Sequence, residues 1–258
     1  MKVVILAGGL PSTLIEQDEK IPKPMAEIGG RPILWHIMKQ YAYYGYKEFI
    51  ICTGYKGEMI KDYFMNFYIY QSDITVDLQT NQVDIHRKKT EDWDVMVVDT
   101  GRNASVSDRI FSVREYLKGE AFLVTYGDCV SDIDIMKLVS QHKKDGKMAT
   151  FAVAKPTGRN RIFPVAGSGD FAFPHPGDQS VNAWVNACSM VFEQDIFPYL
   201  KNNEMFPSEE MLEQLSKEEQ MSVYFHKGFW SPMETIRDKT LLEHMWKSDK
   251  APWKVWKD

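Results

Sequence analysis

The chain opens with Val3-Val-Ile-Leu-Ala7, five apolar residues in a row, followed at once by Gly8-Gly9. An apolar run of strand length with no polar alternation must be covered on both faces, which marks a central strand of a parallel sheet. Two glycines directly after it allow a tight turn and let backbone N–H groups approach an anion. This feature points to an open α/β sheet with a site at the end of its first strand.

The rest of the chain repeats the alternation. Residues Pro32 to Tyr44 set Leu34, Ile37, Met38 and Tyr41 at helical spacing, Glu48–Thr53 reads as a strand, and Lys56–Phe67 as a helix. Ile74–Leu78 and Gln82–His86 predict a hairpin carried on the main sheet, with Val95–Asp99 as the next core strand. Ile110–Leu117 reads as a short helix, Ala121–Tyr126 as a buried strand ending at Gly127-Asp128, and Ile135–Lys144 as a helix closed by Gly146. From Ala149 onward the pattern predicts short strands at Thr150–Ala154, Ser189–Phe192 and Ser222–His226, and helices at Glu209–Leu215 and Lys239–Lys247. A Gly/Pro-rich stretch lies at Gly167–Asp178, and an aromatic tail ends the chain. The expected fold is α/β: a doubly wound, Rossmann-like, mostly parallel sheet with a small β-rich lobe and a C-terminal helix. One domain is expected over residues 1–258, with halves 1–148 and 149–258, since no repeat or long linker divides the 258 residues.

A net charge of −5 gives no global attraction for nucleic acid or an anionic membrane, so neither is expected as a partner. No apolar stretch approaches membrane-spanning length. Cys52, Cys129 and Cys188 are far apart and lack a metal-ligand spacing, which fits a reduced, cytoplasmic setting.

The segment Leu6-Ala-Gly-Gly-Leu-Pro-Ser-Thr-Leu14 resembles the signature loop of the sugar-1-phosphate nucleotidylyltransferases, usually Leu-Ala-Gly-Gly-x-Gly-Thr-Arg-Leu. Pro22 to Lys39, Cys52-Thr-Gly-Tyr-Lys-Gly57, Val98-Asp-Thr-Gly101, Thr125-Tyr-Gly-Asp128, Gly228-Phe-Trp-Ser-Pro-Met233 and Lys250-Ala-Pro-Trp-Lys254 are similar to the glucose-1-phosphate cytidylyltransferase branch of that family, in order and almost end to end. The resemblance implies the nucleotidylyltransferase, GT-A-like version of the fold, with a sugar-side lobe after residue 148. It also implies the joining of CTP and glucose 1-phosphate to give CDP-glucose and pyrophosphate, so that nucleotide and sugar phosphate are the expected partners. Members of this branch form homo-oligomers, and the aromatic segments Tyr63–Tyr70 and Trp246–Trp256 would suit such an assembly.

Residue by residue, the resemblance makes Lys23 the catalytic lysine and assigns Leu6, Ala7, Gly8, Gly9 and Arg109 to the nucleotide. Asp128 and Glu234 become the carboxylates for Mg²⁺, and Asn186 belongs to the sugar side. Read without it, Lys23 is an exposed loop lysine and Asp128 a turn or capping residue. The sequence also departs from the pattern. Pro11 stands for a loop glycine, Thr13 for the arginine, Val106-Ser-Asp108 for Thr-Gly-Gly before Arg109, Cys129 for glycine, and Ala187-Cys188 for Gly-Gly. Glu234 replaces a shorter aspartate, and Phe173-Pro-His-Pro176 stands for Glu-Lys-Pro. His175, Arg159 and Arg161 could meet an anion there or face solvent. Thr13 carries no charge and Pro11 no N–H, so altered substrates or strongly reduced standard activity are expected. The alternative is a non-catalytic or repurposed homologue that binds a sugar nucleotide or a partner protein.

Overall fold

The computed structural model describes residues 1–9, 21–87, 90–156, 163, 165, 184–200 and 206–257. Strand β1 (Val3–Ala7) is followed by the short pair β2 (Glu27–Ile28) and β3 (Arg31–Pro32), then helix α1 (Ile33–Tyr43) and β4 (Glu48–Thr53). Helices α2 (Gly57–Met65) and α3 (Phe67–Tyr70) lead to a hairpin of β5 (Asp73–Asp77) and β6 (Gln82–Arg87), then β7 (Asp94–Asp99). Next come α4 (Val106–Ser112), β8 (Phe122–Tyr126), β9 (Cys129–Ser131), α5 (Ile135–Asp145) and β10 (Ala149–Ala154). The chain finishes with β11 (Val185–Phe192), α6 (Glu209–Lys217), β12 (Met221–Phe225), β13 (Trp230–Pro232) and α7 (Ile236–Lys247).

Seven strands form the main sheet in the order β12-β10-β11-β8-β1-β4-β7. All neighbours are parallel except β11, which runs antiparallel to both β10 and β8 and so joins the two halves of the chain in one sheet. Strand β1 is central and fully buried, as its apolar run requires. Val3, Ile5 and Ala7 pack on one face with Leu34, Ile37 and Met38 of α1, while Val4 and Leu6 pack on the other with Ile110 of α4 and Phe151 of β10. No described helix is long and apolar enough to cross a membrane.

Several expectations are corrected by tertiary packing. The β5–β6 hairpin forms a separate two-stranded sheet and is not carried on the main one. Its register pairs Ile74 with Ile85 and Val76 with Val83, gathering the apolar side chains on one face, whereas the edge strand β7 pairs only with β4. Helix α4 starts four residues earlier than the apolar pattern suggests, because Ser105 and Asp108 form a reciprocal capping box. Thr235 and Asp238 do the same for α7, which therefore begins at Ile236. The aromatic tail is not free surface: Trp253 is fully buried and Trp256 nearly so. The Gly167–Asp178 stretch falls outside the described residues.

The tail packs around a buried histidine on α1. His36 Nε2 lies 2.8 Å from the carbonyl of Ile28, and Trp253 Nε1–H donates to His36 Nδ1 at 3.4 Å, so Nε2 carries the proton. Burial is the main cause that pushes the His36 pKa down to about 4. Gly29, at φ +60, lies against Trp246, where a Cβ would meet Nε1 at 1.9 Å, and its N–H donates to Glu243 of α7 at 2.8 Å. Helix α7 and the tail thus brace the β2–β3 hairpin that directly follows Lys23.

Candidate active site

A cavity of about 640 Å³ opens over the C-terminal ends of β1 and β8, where open α/β sheets place their ligands. Leu6, Ala7, Gly8 and Gly9 form one wall, Lys23, Pro24, Tyr126 and Asp128 a second, and Arg102 to Val106 with Arg109 a third. Of the residues expected to bind, Lys23, the four residues of the glycine turn, Arg109 and Asp128 therefore line one space.

Lys23 begins a single 3-10 turn between Pro22 and Pro24, which closes with the Ala26 N–H donating to the Lys23 carbonyl. Both prolines limit the backbone to few conformations, so the lysine leaves a stiff segment. Its Nζ lies 3.8 Å from Asp128 Oδ2, with each side chain a little under a third exposed. Pro24 packs against Gly127, where an added Cβ would meet Pro24 Cγ at 3.0 Å, and this contact brings the lysine segment onto the end of β8.

A pair of very short strands brings the chain at Glu234 next to the chain at Asp128. Antiparallel pairing of β9 with β13 sets Pro232 opposite Cys129, and the Met233 N–H donates to the Asp128 carbonyl at 2.8 Å. Glu234 therefore follows immediately beside Asp128. Burial raises the Asp128 pKa above the usual carboxylate range, Lys23 opposes that shift, and the Glu234 charge adds to it. Two hard oxygen donors that repel each other suit Mg²⁺, which takes one or two protein carboxylates and completes its shell with water and phosphate oxygens. No group of three or more His, Cys, Asp or Glu residues placed to hold a metal occurs among the described residues.

Arg109 is nearly buried and its guanidinium turns toward main-chain oxygens. Nη1 donates to the carbonyls of Thr53 at 2.9 Å and Gly101 at 2.9 Å and to Thr100 Oγ1 at 2.7 Å, while Nη2 donates to the Gly8 carbonyl at 2.6 Å. The ends of β1, β4 and β7 are thus tied by one side chain. Gly8 has to lack a side chain, because a Cβ would lie 2.1 Å from Arg109 Nη1. Arg109 stands in the cavity wall, but its Nη1 and Nη2 donors are spent on the loops that shape it.

The substitutions in the neighbouring loop have visible roles. Asp108, in place of a glycine, accepts from the Ser105 N–H at 3.0 Å and from the Ser105 hydroxyl at 2.8 Å, so its charge caps α4. At Asn186, which was expected on the sugar side, Oδ1 accepts from the Cys188 N–H at 2.9 Å. Cys188 sits at φ +66, a conformation suited to the glycine it replaces. Cys129 is buried and accepts from Trp230 Nε1–H at 3.2 Å. Pro11, Ser12, Thr13, Arg159, Arg161 and His175 lie outside the described residues. Arg102 and Asn103 were not anticipated; their signal was their place directly after the Val98–Gly101 motif.

The nucleotidyl transferase family pattern matches residues 2–258. The glucose-1-phosphate cytidylyltransferase of Salmonella typhimurium is 43% identical over 259 residues, spanning 99% of this chain and 100% of the relative. Among solved structures, the UTP-bound UGPase from Acinetobacter baumannii superposes with a TM-score of 0.72 at 14% identity, covering 96% of this chain and 93% of that one. The inositol-1-phosphate CTP transferase from T. maritima gives 0.68 at 12% identity, covering 99% and 98%. These two likenesses show the fold, and with the family match over nearly every residue the chain belongs to the nucleotidyl transferases, among the sugar-1-phosphate nucleotidylyltransferases.

Proposed function

We propose that this protein transfers a cytidylyl group from CTP to glucose 1-phosphate, forming CDP-glucose and pyrophosphate. The observation that carries the reading is the Lys23–Asp128 pair, 3.8 Å apart in a cavity bounded by Gly8 and Gly9. An oxygen of the sugar phosphate attacks the α-phosphorus of CTP in line, and the bond from that phosphorus to the bridging oxygen of the β-phosphate breaks. Pyrophosphate leaves with the electron pair, and no proton need move because the attacking oxygen is already anionic. The task of the protein is positioning and charge neutralisation. Lys23 supplies the positive charge at the reacting phosphates, from a segment stiffened by two prolines and braced by the C-terminal tail. Asp128 and Glu234 would hold Mg²⁺, which when bound neutralises phosphate charge and orients the triphosphate. Arg109 keeps the Gly8 turn, Thr53 and Gly101 in register.

The rate expected is low. Thr13 lacks the charge of the family arginine, Glu234 is one methylene longer than aspartate, and Arg109 is committed to carbonyls. Loss of one donor aimed at transition-state charge lowers turnover roughly 100- to 1000-fold. A second reading, binding without turnover, is favoured by the missing family arginine at Thr13 and by the commitment of the Arg109 guanidinium to main-chain oxygens. Mass spectrometry of a mixture of protein, CTP, glucose 1-phosphate and Mg²⁺ separates the two: CDP-glucose supports transfer, and tight CTP binding with no product supports the second.

The chain is also expected to self-associate. Ile74, Val76 and Val83 on the hairpin face are 41%, 45% and 48% exposed, and an isolated two-stranded hairpin is marginal in water without cover. Light scattering giving a mass of one 29.9 kDa chain at micromolar concentration would refute this.

A further inference from the structure

The strand order fixes how far the cavity extends from its reacting end. Strands β8, β1, β4 and β7 are consecutive neighbours, and adjacent strands lie about 4.8 Å apart. The loop after β7 is therefore three strand steps, roughly 14 Å, from the Asp128 end of β8. That span suits a nucleoside monophosphate laid across the strand ends, with its phosphate at Lys23 and its base at the wall formed by Arg102 to Val106.

Most polar side chains of this wall are already engaged. The Ser105 hydroxyl and the Asp108 carboxylate cap α4, the Arg109 guanidinium holds main-chain oxygens, and Ala104 and Val106 are apolar. Asn103 and Arg102 are different, and of the two only Arg102 carries a charge. It lines the cavity, its side chain is exposed, and it has no carboxylate within ion-pair distance among the described residues. Its backbone is pinned where the side chain is free: Gly101 N–H donates to Asp99 Oδ1 at 2.9 Å, and Arg109 Nη2 lies 3.5 Å from the Arg102 carbonyl. The guanidinium lies over the ring of Tyr55, 5.2 Å from its centroid, a contact that restricts this planar donor fork.

Resting on the cytidylyl-transfer reading above, we infer that Arg102 is a specificity-determining residue that reads the nucleotide base through its hydrogen-bond acceptors. A guanidinium carries donors only. Cytosine presents adjacent acceptors at N3 and O2, which a fork can meet with two parallel bonds. Uracil and thymine carry a hydrogen on N3, so the same fork would face a donor and lose one bond. Guanine offers the comparable O6 and N7 pair on its other edge. A bidentate contact of this kind discriminates between bases by about 1 to 3 kcal/mol, or roughly 5- to 150-fold in affinity.

The test is calorimetric titration of the full chain with CTP, UTP and GTP in Mg²⁺, for wild type, Arg102→Ala and Arg102→Lys. Wild type should bind CTP at least about 5-fold more tightly than UTP. Arg102→Ala should bring that ratio close to one by weakening CTP more than UTP, and Arg102→Lys should recover only part of it because an ammonium lacks the fork. The melting temperature should hold, since the side chain is exposed. A preserved CTP-to-UTP ratio in Arg102→Ala, or an equal loss for both nucleotides, overturns base reading and leaves the proposed reaction standing. A wild-type protein that binds none of the three overturns both.

Discussion

Replacing Arg109 with alanine should cost stability and nucleotide affinity together. Four of its hydrogen bonds are 2.9 Å or shorter, and bonds from a charged donor contribute about 1.5 to 3 kcal/mol each. The gross loss is thus about 6 to 12 kcal/mol, but two effects reduce it. Burial penalises the guanidinium, as its lowered pKa shows, so its removal ends a desolvation cost. The carbonyls are also unequal. Thr53 O keeps the Thr100 N–H at 3.1 Å and hydroxyl at 2.7 Å, and Gly101 O keeps a long contact from the Ala104 N–H at 3.4 Å. Gly8 O has no other donor among the described residues. A net loss of about 3 to 4 kcal/mol is expected, near the top of the ordinary range for one substitution. Urea denaturation at pH 7 should show the midpoint falling with an unchanged slope. Arg109→Lys, which keeps the charge and loses the fork, should fall between. A loss below about 1 kcal/mol, or full stability loss with CTP affinity intact, would refute the idea that this side chain holds the loops for the nucleotide.

Trp253→Ala should cost about 3 to 5 kcal/mol, because the ring is fully buried, stacks on Phe229 at 5.7 Å and donates to His36; chemical denaturation reads this directly. His36 stays neutral in the fold down to about pH 4, whereas the unfolded chain protonates it near 6.5. The unfolded state therefore binds the extra proton between these values, and stability should fall as pH drops through that window, by up to about 3 kcal/mol. In His36→Gln the slope of stability against pH there should shrink by close to one proton. Asp128 has the opposite sense: its raised pKa means the folded state holds a proton longer, so stability declines as pH rises above the unfolded value. Asp128→Asn should thus melt higher than wild type at pH 7 while losing Mg²⁺-dependent CTP binding, and a lower melting temperature would count against a strained carboxylate.

The central strand and the alternation around it were legible because β1 has no polar residue to offer solvent. The Lys23 and Asp128 positions were legible through the resemblance, and the structure brings them together. What Arg109 does was not legible. Its sequence neighbours suggest a base loop, while its partners Gly8, Thr53 and Gly101 come from three other strand ends that only the folded sheet assembles. The three-residue strands β9 and β13 have too little local signal to predict and form because they pair with each other. The tail tryptophans were read as an assembly surface because composition alone does not show that His36, a polar residue on α1, is the group they enclose.

Pyrophosphate release measured side by side for wild type and Lys23→Met, with CTP, glucose 1-phosphate and Mg²⁺ at millimolar concentration, tests the central claim most directly. Wild type should turn over measurably but below about 1 per second, the lower end of the common enzyme range. Lys23→Met should be slower by roughly 100-fold or more, with its fold retained, because the lysine is part-exposed and makes a single long ion pair. Equal rates for the two proteins, or no pyrophosphate from wild type, would contradict the account.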